Sequence, residues 1–429
     1  MRCKIIGVLD SGVNSLSPEQ LANINEAKLV IASSRVLSLL ASSFNPDSKQ
    51  RDLTESLSRV PSWIGGSLQR SEPVVVLATG DPLCHGIGSY LISKLGLEQC
   101  EISPNISTLQ LACARFGRAW QAAKIHSIHS SNSGEWAVGS DPKHGLYSLL
   151  QKMGQEEFIV LFTSPENSPD RIARMAEMEG LDGVEPQWTM AVAENLEQAD
   201  EKLHGPFPIS DAKTMQFADL NITLLWRERG SSEKNRSRAI FGLSDAEYAQ
   251  RKPERGLITK QEVRAVSLAK MGLHKKSIVW DVGAGSGSVG IEASRIATEG
   301  HIYAIEKNQA DAENIEINRQ RFQITNYTLI VGKAPAGMEQ WQTPDAIFIG
   351  GTGGNLVELI KLSLQKMNTG ATLVMNFVTI ENLSAALEIL KSEGAEWNVT
   401  QLQSSRSKPI LNMHRMEAEN PVWIVSAQI

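Results

Sequence analysis

Ser277-Ile-Val-Trp-Asp-Val-Gly-Ala-Gly-Ser-Gly-Ser-Val-Gly-Ile-Glu-Ala-Ser294 is the stretch that decides the fold. Ile278, Val279 and Trp280 form an unbroken apolar run and predict a buried strand ending at Asp281. Gly283, Gly285 and Gly287 follow at every second position. From Ser288 the apolar spacing turns helical through Val289, Ile291 and Ala293. Strand, tight glycine turn and helix together open a nucleotide-binding α/β domain. Glycine is required where the backbone takes positive φ or approaches a ligand too closely for a Cβ.

A dinucleotide fingerprint would read G-x-G-x-x-G. Here the third glycine comes one position early and Ser288 holds the expected site. Asp281, just before the turn, would repel a pyrophosphate. An acidic strand end before G-x-G-x-G suits a ligand with an amino group and no phosphate, and S-adenosylmethionine (SAM) is such a ligand. The next strand, His301-Ile-Tyr-Ala-Ile305, ends at Glu306, placed to take ribose hydroxyls. NAD would use the same carboxylate, so an NAD oxidoreductase is the first rival, opposed by the early glycine and Asp281. The bland alternative is a doubly wound domain whose glycines serve only packing.

A chain of 429 residues predicts two or three domains. A formal net charge of −6 argues against general nucleic-acid or membrane-surface binding. With no aromatic-basic interleaving, it also disfavours a class I RNA methyltransferase. No apolar run is long enough to span a bilayer. Met1-Arg-Cys-Lys-Ile-Ile-Gly7 lacks the apolar core of a signal peptide. Cys3, Cys84, Cys100 and Cys113 have no C-x-x-C spacing, so buried free thiols and a cytoplasmic location are expected. His126 and His129 form an H-x-x-H that no neighbouring carboxylate or Cys completes, and no metal site is expected.

Along the first half, strands are predicted at Lys4–Leu9, Leu29–Ala32, Pro73–Ala78, Phe158–Phe162, Thr189–Ala193 and Asn221–Trp226. The third runs into Thr79-Gly80-Asp81-Pro82, which places a ligand site at a carboxyl edge, or else a plain turn. Ser107 is expected to cap a helix over Leu109–Phe116. Residues 230–256 read as a polar linker, with ten Lys/Arg and six Asp/Glu between Arg227 and Arg264. A basic rim for a polycarboxylate is the sharper reading of the same residues. Thr259 and Glu262 suggest a capping box opening the second half. Five strands alternating with helices then predict a parallel sheet. Strands near Trp397–Gln403 and Val422–Ser426 suggest an antiparallel hairpin at its edge.

These residues carry a resemblance to known families. Thr79-Gly-Asp-Pro-Leu83, Pro104-Asn-Ile-Ser-Thr-Leu-Gln-Leu-Ala-Cys-Ala-Arg115, Trp120, Ser127-Ile-His129, Asn167-Ser-Pro169 and Glu194-Asn-Leu196 resemble the tetrapyrrole (precorrin) methylase fold. Leu257-Ile-Thr-Lys-Gln-Glu-Val-Arg264, Asp281–Ile291, Glu306, Gly332-Lys-Ala-Pro335, Ile349-Gly-Gly-Thr-Gly-Gly354 and Asn420-Pro-Val422 resemble the decarboxylating precorrin methyltransferases, a class I SAM fold. The order of the halves and Phe241-Gly-Leu-Ser-Asp-Ala-Glu-Tyr248 match the fused C5,15-methyltransferases of cobalamin biosynthesis. Leu9 stands where that family usually has glycine, and Cys84-His85 replaces its usual aromatic pair.

The resemblance implies a tetrapyrrole-methylase domain of two α/β subdomains (1–229), a linker (230–256) and a Rossmann-like SAM domain with a mostly parallel seven-stranded sheet (257–429). It implies methylation of precorrin-6Y, or its cobalt form, at C5 by the first domain. The second would methylate C15 and decarboxylate the C12 acetate, giving precorrin-8. The alternative is that only the second domain is catalytic and the first binds tetrapyrrole. SAM contacts are expected from Asp281, Gly283, Gly285, Gly287, Glu306, Ala334 and Thr259, and in the first domain from Gly80, Asp81 and Ser107. Lys260, Arg264, Lys333 and Arg115 are expected to hold substrate carboxylates. No catalytic residue is nameable, and a homo-oligomer without nucleic acid or membrane partners is expected.

Overall fold

Apolar runs without alternation need cover on both faces, and the first strands of the chain obtain it in a parallel sheet. The computed structural model describes residues 2–54, 56–128, 134–182, 187–227, 239–251 and 258–429. β1 (Cys3–Val8), β2 (Leu29–Ala32), β3 (Lys49–Asp52), β4 (Val74–Thr79) and β5 (Cys100–Ser103) form a sheet of order β3-β2-β4-β1-β5. Every pairing in it is parallel. β6 (Lys124–Ser127), β7 (Phe158–Phe162), β8 (Thr189–Glu194), β9 (Lys202–Pro208) and β10 (Asn221–Trp226) form a second sheet, order β6-β7-β10-β8-β9. Only β6–β7 is parallel there.

The third sheet contains β11 (Ile278–Val282), β12 (His301–Glu306), β13 (Tyr327–Val331), β14 (Ala346–Ile349), β15 (Thr372–Phe377), β16 (Glu396–Leu402) and β19 (Val422–Gln428). Its order is β13-β12-β11-β14-β15-β19-β16. β19 runs antiparallel to both neighbours and the other pairings are parallel. β11 therefore sits where the connections reverse direction, the place at which open α/β sheets bind ligands. The expected edge hairpin is interrupted: β17 (Ser405–Ile410) and β18 (Met413–Ala418) form a separate two-stranded ribbon between β16 and β19.

Packing divides the chain into two compact units. The first comprises Met1–Gly134, Glu156–Glu177 and Leu181–Glu228; the second comprises Glu135–Gln155, Met178–Gly180 and Arg229–Ile429. Inside the second unit, Trp136 Nε1 and Arg319 Nη1 both donate to Glu179, at 2.7 and 2.6 Å. His301 Nδ1 lies 2.5 Å from Tyr147 Oη, and burial pushes the imidazole down to about 3, so it stays neutral.

The expected linker falls partly outside the described residues, at 230–238 and 252–256, as does His129 of the H-x-x-H. Over 239–251 the chain is a strap packed within the second unit. Gly242 N and Leu243 N donate to Glu292 at 2.5 and 3.0 Å, and Tyr248 Oη does so at 3.0 Å. Ala249 N donates to Asn318 Oδ1 at 2.7 Å, and Arg251 forms a two-pronged pair with Asp311 at 2.7 and 2.6 Å.

Candidate functional sites

In the first unit a cavity of about 390 Å³ opens at the carboxyl end of β4, between that sheet and the carboxyl end of β7. Tight packing of three loops shapes it. A Cβ on Gly7 would stand 2.0 Å from Gly80 O and 2.6 Å from Asn105 N, so only glycine fits. Gly80 takes φ +67° against the backbone of Ile106 and Ser107. Asp81 lines the cavity while its Oδ1 accepts Leu83 N at 2.8 Å, which fixes the turn. Ser107 also lines it and forms a capping box with Gln110 at the head of helix Thr108–Arg115, as expected. His85, Thr163 and Asn221 join them, with the His85 ring tilted on Phe162 at 5.4 Å.

Arg115 is not brought to this cavity. Its guanidinium is held by Glu201 at 2.6 Å and Glu197 at 2.8 Å, so its charge is already matched by protein carboxylates.

In the second unit a cavity of about 220 Å³ lies over the glycine turn, at the carboxyl ends of β11, β12, β13 and β14. Gly283, Gly285, Glu306, Lys333 and Ala334 line it, as do Lys307 and the loop Gly350–Gly353. Gly283, Gly285 and Gly287 all take positive φ, of 70°, 60° and 73°. A Cβ on Gly283 would stand 2.3 Å from Gly351 O, so the turn and the loop after β14 close together only through glycine. Gly287 instead begins helix Ser288–Ile296 and packs on Ile315. Glu306 is 6% exposed; its Oε2 accepts Gly285 N at 2.9 Å and its Oε1 accepts Asn308 N at 2.8 Å. The carboxylate thus braces the turn and keeps lone pairs for a ligand diol.

Asp281 is sealed beneath the turn at 0% exposed, and its Oδ2 accepts Gly290 N at 2.9 Å. Burial pushes its carboxyl up to about 7; the Gly290 N–H opposes this and the charge of Glu306 adds to it. A carboxyl raised above its unfolded value of 3.8 gives stability that is present in acid and lost as pH rises through about 7. Asp281→Asn keeps the acceptor for Gly290 and removes the charge. Its melting-temperature gain over the unaltered chain, without ligand, should be larger at pH 8 than at pH 5. Equal gains at both pH values would contradict a charged, buried Asp281.

Four further expectations meet a different arrangement. Arg264 faces no cavity: it is 0% exposed, with Nε on Glu292 at 2.7 Å and Nη1 on Asp245 at 3.1 Å. Thr259 does not cap helix Gln261–Met271; the N-cap is Lys260 without a side-chain bond, and Thr259 O accepts from Arg264. Glu262, expected to complete that capping box, pairs with Arg406. Lys260, like Thr259, is not among the residues lining the second cavity. Sequence reasoning passed over Lys307, although it directly follows Glu306 at a strand end.

Comparison with known proteins agrees with the two-part build. The family model for tetrapyrrole (corrin/porphyrin) methylases matches residues 2–208, and that for the precorrin methyltransferase domain matches residues 253–428. Precorrin-6Y C(5,15)-methyltransferase (decarboxylating) from Sinorhizobium sp is 28% identical over 425 residues, covering 97% of this chain and 94% of the relative. Cobalt-precorrin-6B C(15)-methyltransferase (decarboxylating) from Salmonella typhimurium is 40% identical over 172 residues, covering 40% of this chain and 88% of the relative. A crystal structure of precorrin-6Y C5,15-methyltransferase from Geobacter metallireducens GS-15 is 37% identical, covers 45% of this chain and 100% of its own, and aligns at a TM-score of 0.43. On the sequence matches the chain belongs to the precorrin methyltransferases, with a tetrapyrrole methylase domain ahead of the decarboxylating methyltransferase domain.

Proposed function

We propose that the chain is a bifunctional SAM-dependent methyltransferase of cobalamin biosynthesis, acting on precorrin-6Y or its cobalt form. In this reading the first unit methylates C5, and the second methylates C15 and removes the carboxyl group of the C12 acetate as carbon dioxide. The observation that carries it is the cavity over the Gly283–Gly287 turn, where a buried carboxylate, Glu306, and a glycine cradle meet at the topological switch of the sheet.

The residues present fit SAM. Glu306 offers lone pairs to the ribose hydroxyls, and positive-φ glycines let the backbone approach without a Cβ. Ala334 gives an apolar wall, while Asp281 is sealed beneath the turn and is not among the residues lining the cavity. SAM, when bound, supplies a methyl group on a sulfonium. The protein's part is to hold the acceptor carbon in line and exclude water. A reduced tetrapyrrole carries enamine-like carbons, so no strong protein base is needed. Loss of carbon dioxide breaks the bond between the carboxyl carbon and its methylene, and the electron pair passes into the ring.

In the first unit Asp81 and Ser107 line the cavity, and Gly80 at positive φ closes the turn against residues 106–108. Asp81→Ala should lower C5 methylation about a hundredfold or more while C15 methylation continues, read by mass and position of the products. Loss of both activities together would contradict two independent sites.

A further inference from the structure

Between β8 and β9 the chain twice takes positive φ without glycine, at Asn195 (+48°) and Glu197 (+66°). Left-handed backbone is unfavourable for a residue with a Cβ and persists only where neighbours enforce it. Within the loop, Asn195 Nδ2 donates to Asp200 Oδ2 at 2.8 Å and Glu197 N donates to Glu201 Oε2 at 2.7 Å. Gln198 Nε2 ties the loop to Asp10 Oδ2 at 3.1 Å. Arg115 grips it from the end of helix Thr108–Arg115. Its Nε donates to Glu201 Oε1 at 2.6 Å, and its Nη2 donates to Glu197 Oε1 at 2.8 Å and Glu201 Oε2 at 3.2 Å. Leu196 lies between the two left-handed residues. It is buried in one apolar cluster with Leu9, Leu109 and Leu111, and it lines the first-unit cavity. The strained residues are therefore the two that flank a piece of cavity wall.

We propose that Arg115 is a positioning residue for the first-unit reaction: it clamps Glu197 and Glu201 together so that the loop between them and β8 stays left-handed and Leu196 stands as a wall against the bound methyl donor. This rests on the methyltransferase reading of the first unit and adds a residue that acts without touching the ligand. Two carboxylates meeting at one guanidinium are held by charge-assisted bonds; without the cation they face each other and repel. The Arg115 guanidinium beside Glu201 also holds its carboxyl below the usual range, which keeps it ionised. Once the clamp opens, the backbone at Glu197 relaxes out of the left-handed region and Leu196 leaves its place. Leu196 forms a binding wall and carries no reacting atom, so the loss falls on KM more than on kcat.

The test uses the full chain, on which C15 methylation is an internal control. Arg115→Met should raise the KM for SAM in C5 methylation about tenfold, with kcat changed less than about twofold and C15 methylation unaltered. Arg115→Lys keeps the charge without the planar fork and should fall between. Amide exchange at Glu197 and Gln198 should quicken about tenfold in Arg115→Met. Glycine takes positive φ freely, and Glu197→Gly also removes one of the facing carboxylates. The double variant Arg115→Met/Glu197→Gly should therefore regain most of the lost affinity, which a merely structural ion pair would not allow. An unchanged KM or unchanged amide exchange in Arg115→Met, or a double variant no better than the single one, would overturn the clamp. A parent chain that makes no C5-methylated product would instead strike the methyltransferase reading of the first unit, while amide exchange still judges the clamp.

Discussion

Alanine in place of Glu306 is expected to weaken SAM binding by about 2–4 kcal/mol, roughly thirty- to a thousandfold. Two effects act in one direction. The ribose diol loses a charge-assisted acceptor, and the turn loses the carboxylate that receives Gly285 N at 2.9 Å and Asn308 N at 2.8 Å. Glutamine separates them, because its single carbonyl oxygen braces one amide and cannot accept on both sides. Glu306→Gln should therefore fall between the parent and the alanine variant by calorimetry. An unchanged dissociation constant in Glu306→Ala would remove the ribose assignment.

The second large effect is structural. Arg264→Met should destabilise the second unit by about 3–5 kcal/mol, because it leaves Glu292 charged and without its cation in a fully buried place. Glu292 is anchored there by Gly242 N, Leu243 N and Tyr248 Oη, so it cannot swing out to water without releasing the strap. Adding Glu292→Gln removes the stranded charge and leaves an acceptor for those donors, so the double variant should recover part of the loss. Denaturant unfolding read on the second unit measures both. A cost below about 1 kcal/mol for Arg264→Met would mean the network is solvated like a surface pair.

The sequence made the carboxyl edges legible because glycine and acidic residues there have few other uses. Gly283, Gly285 and Glu306, read from the sequence as contacts of one ligand, line one cavity, and the alternation after Gly256 predicted the parallel sheet. Cations were misjudged. Arg264 sits at a motif edge like a ligand contact, yet its partners Glu292 and Asp245 lie 28 and 19 residues away, a pairing that only the fold brings about. Arg115 is matched by Glu197 and Glu201 from more than 80 residues on, at separations of 82 and 86. The ribbon β17–β18 escaped notice because its strands are exposed on both faces and show no apolar alternation. The strap over 239–251 escaped for a related reason: its backbone donors and its Tyr248 and Arg251 side chains meet partners, Glu292, Asn318 and Asp311, that only the fold brings near.

SAM stoichiometry on the full chain, by calorimetry, tests the central claim most directly. Two sites per chain are predicted, one of which is lost in Glu306→Ala while the other persists. A single site, abolished by Glu306→Ala, would contradict a bifunctional enzyme and reduce the first unit to holding the tetrapyrrole.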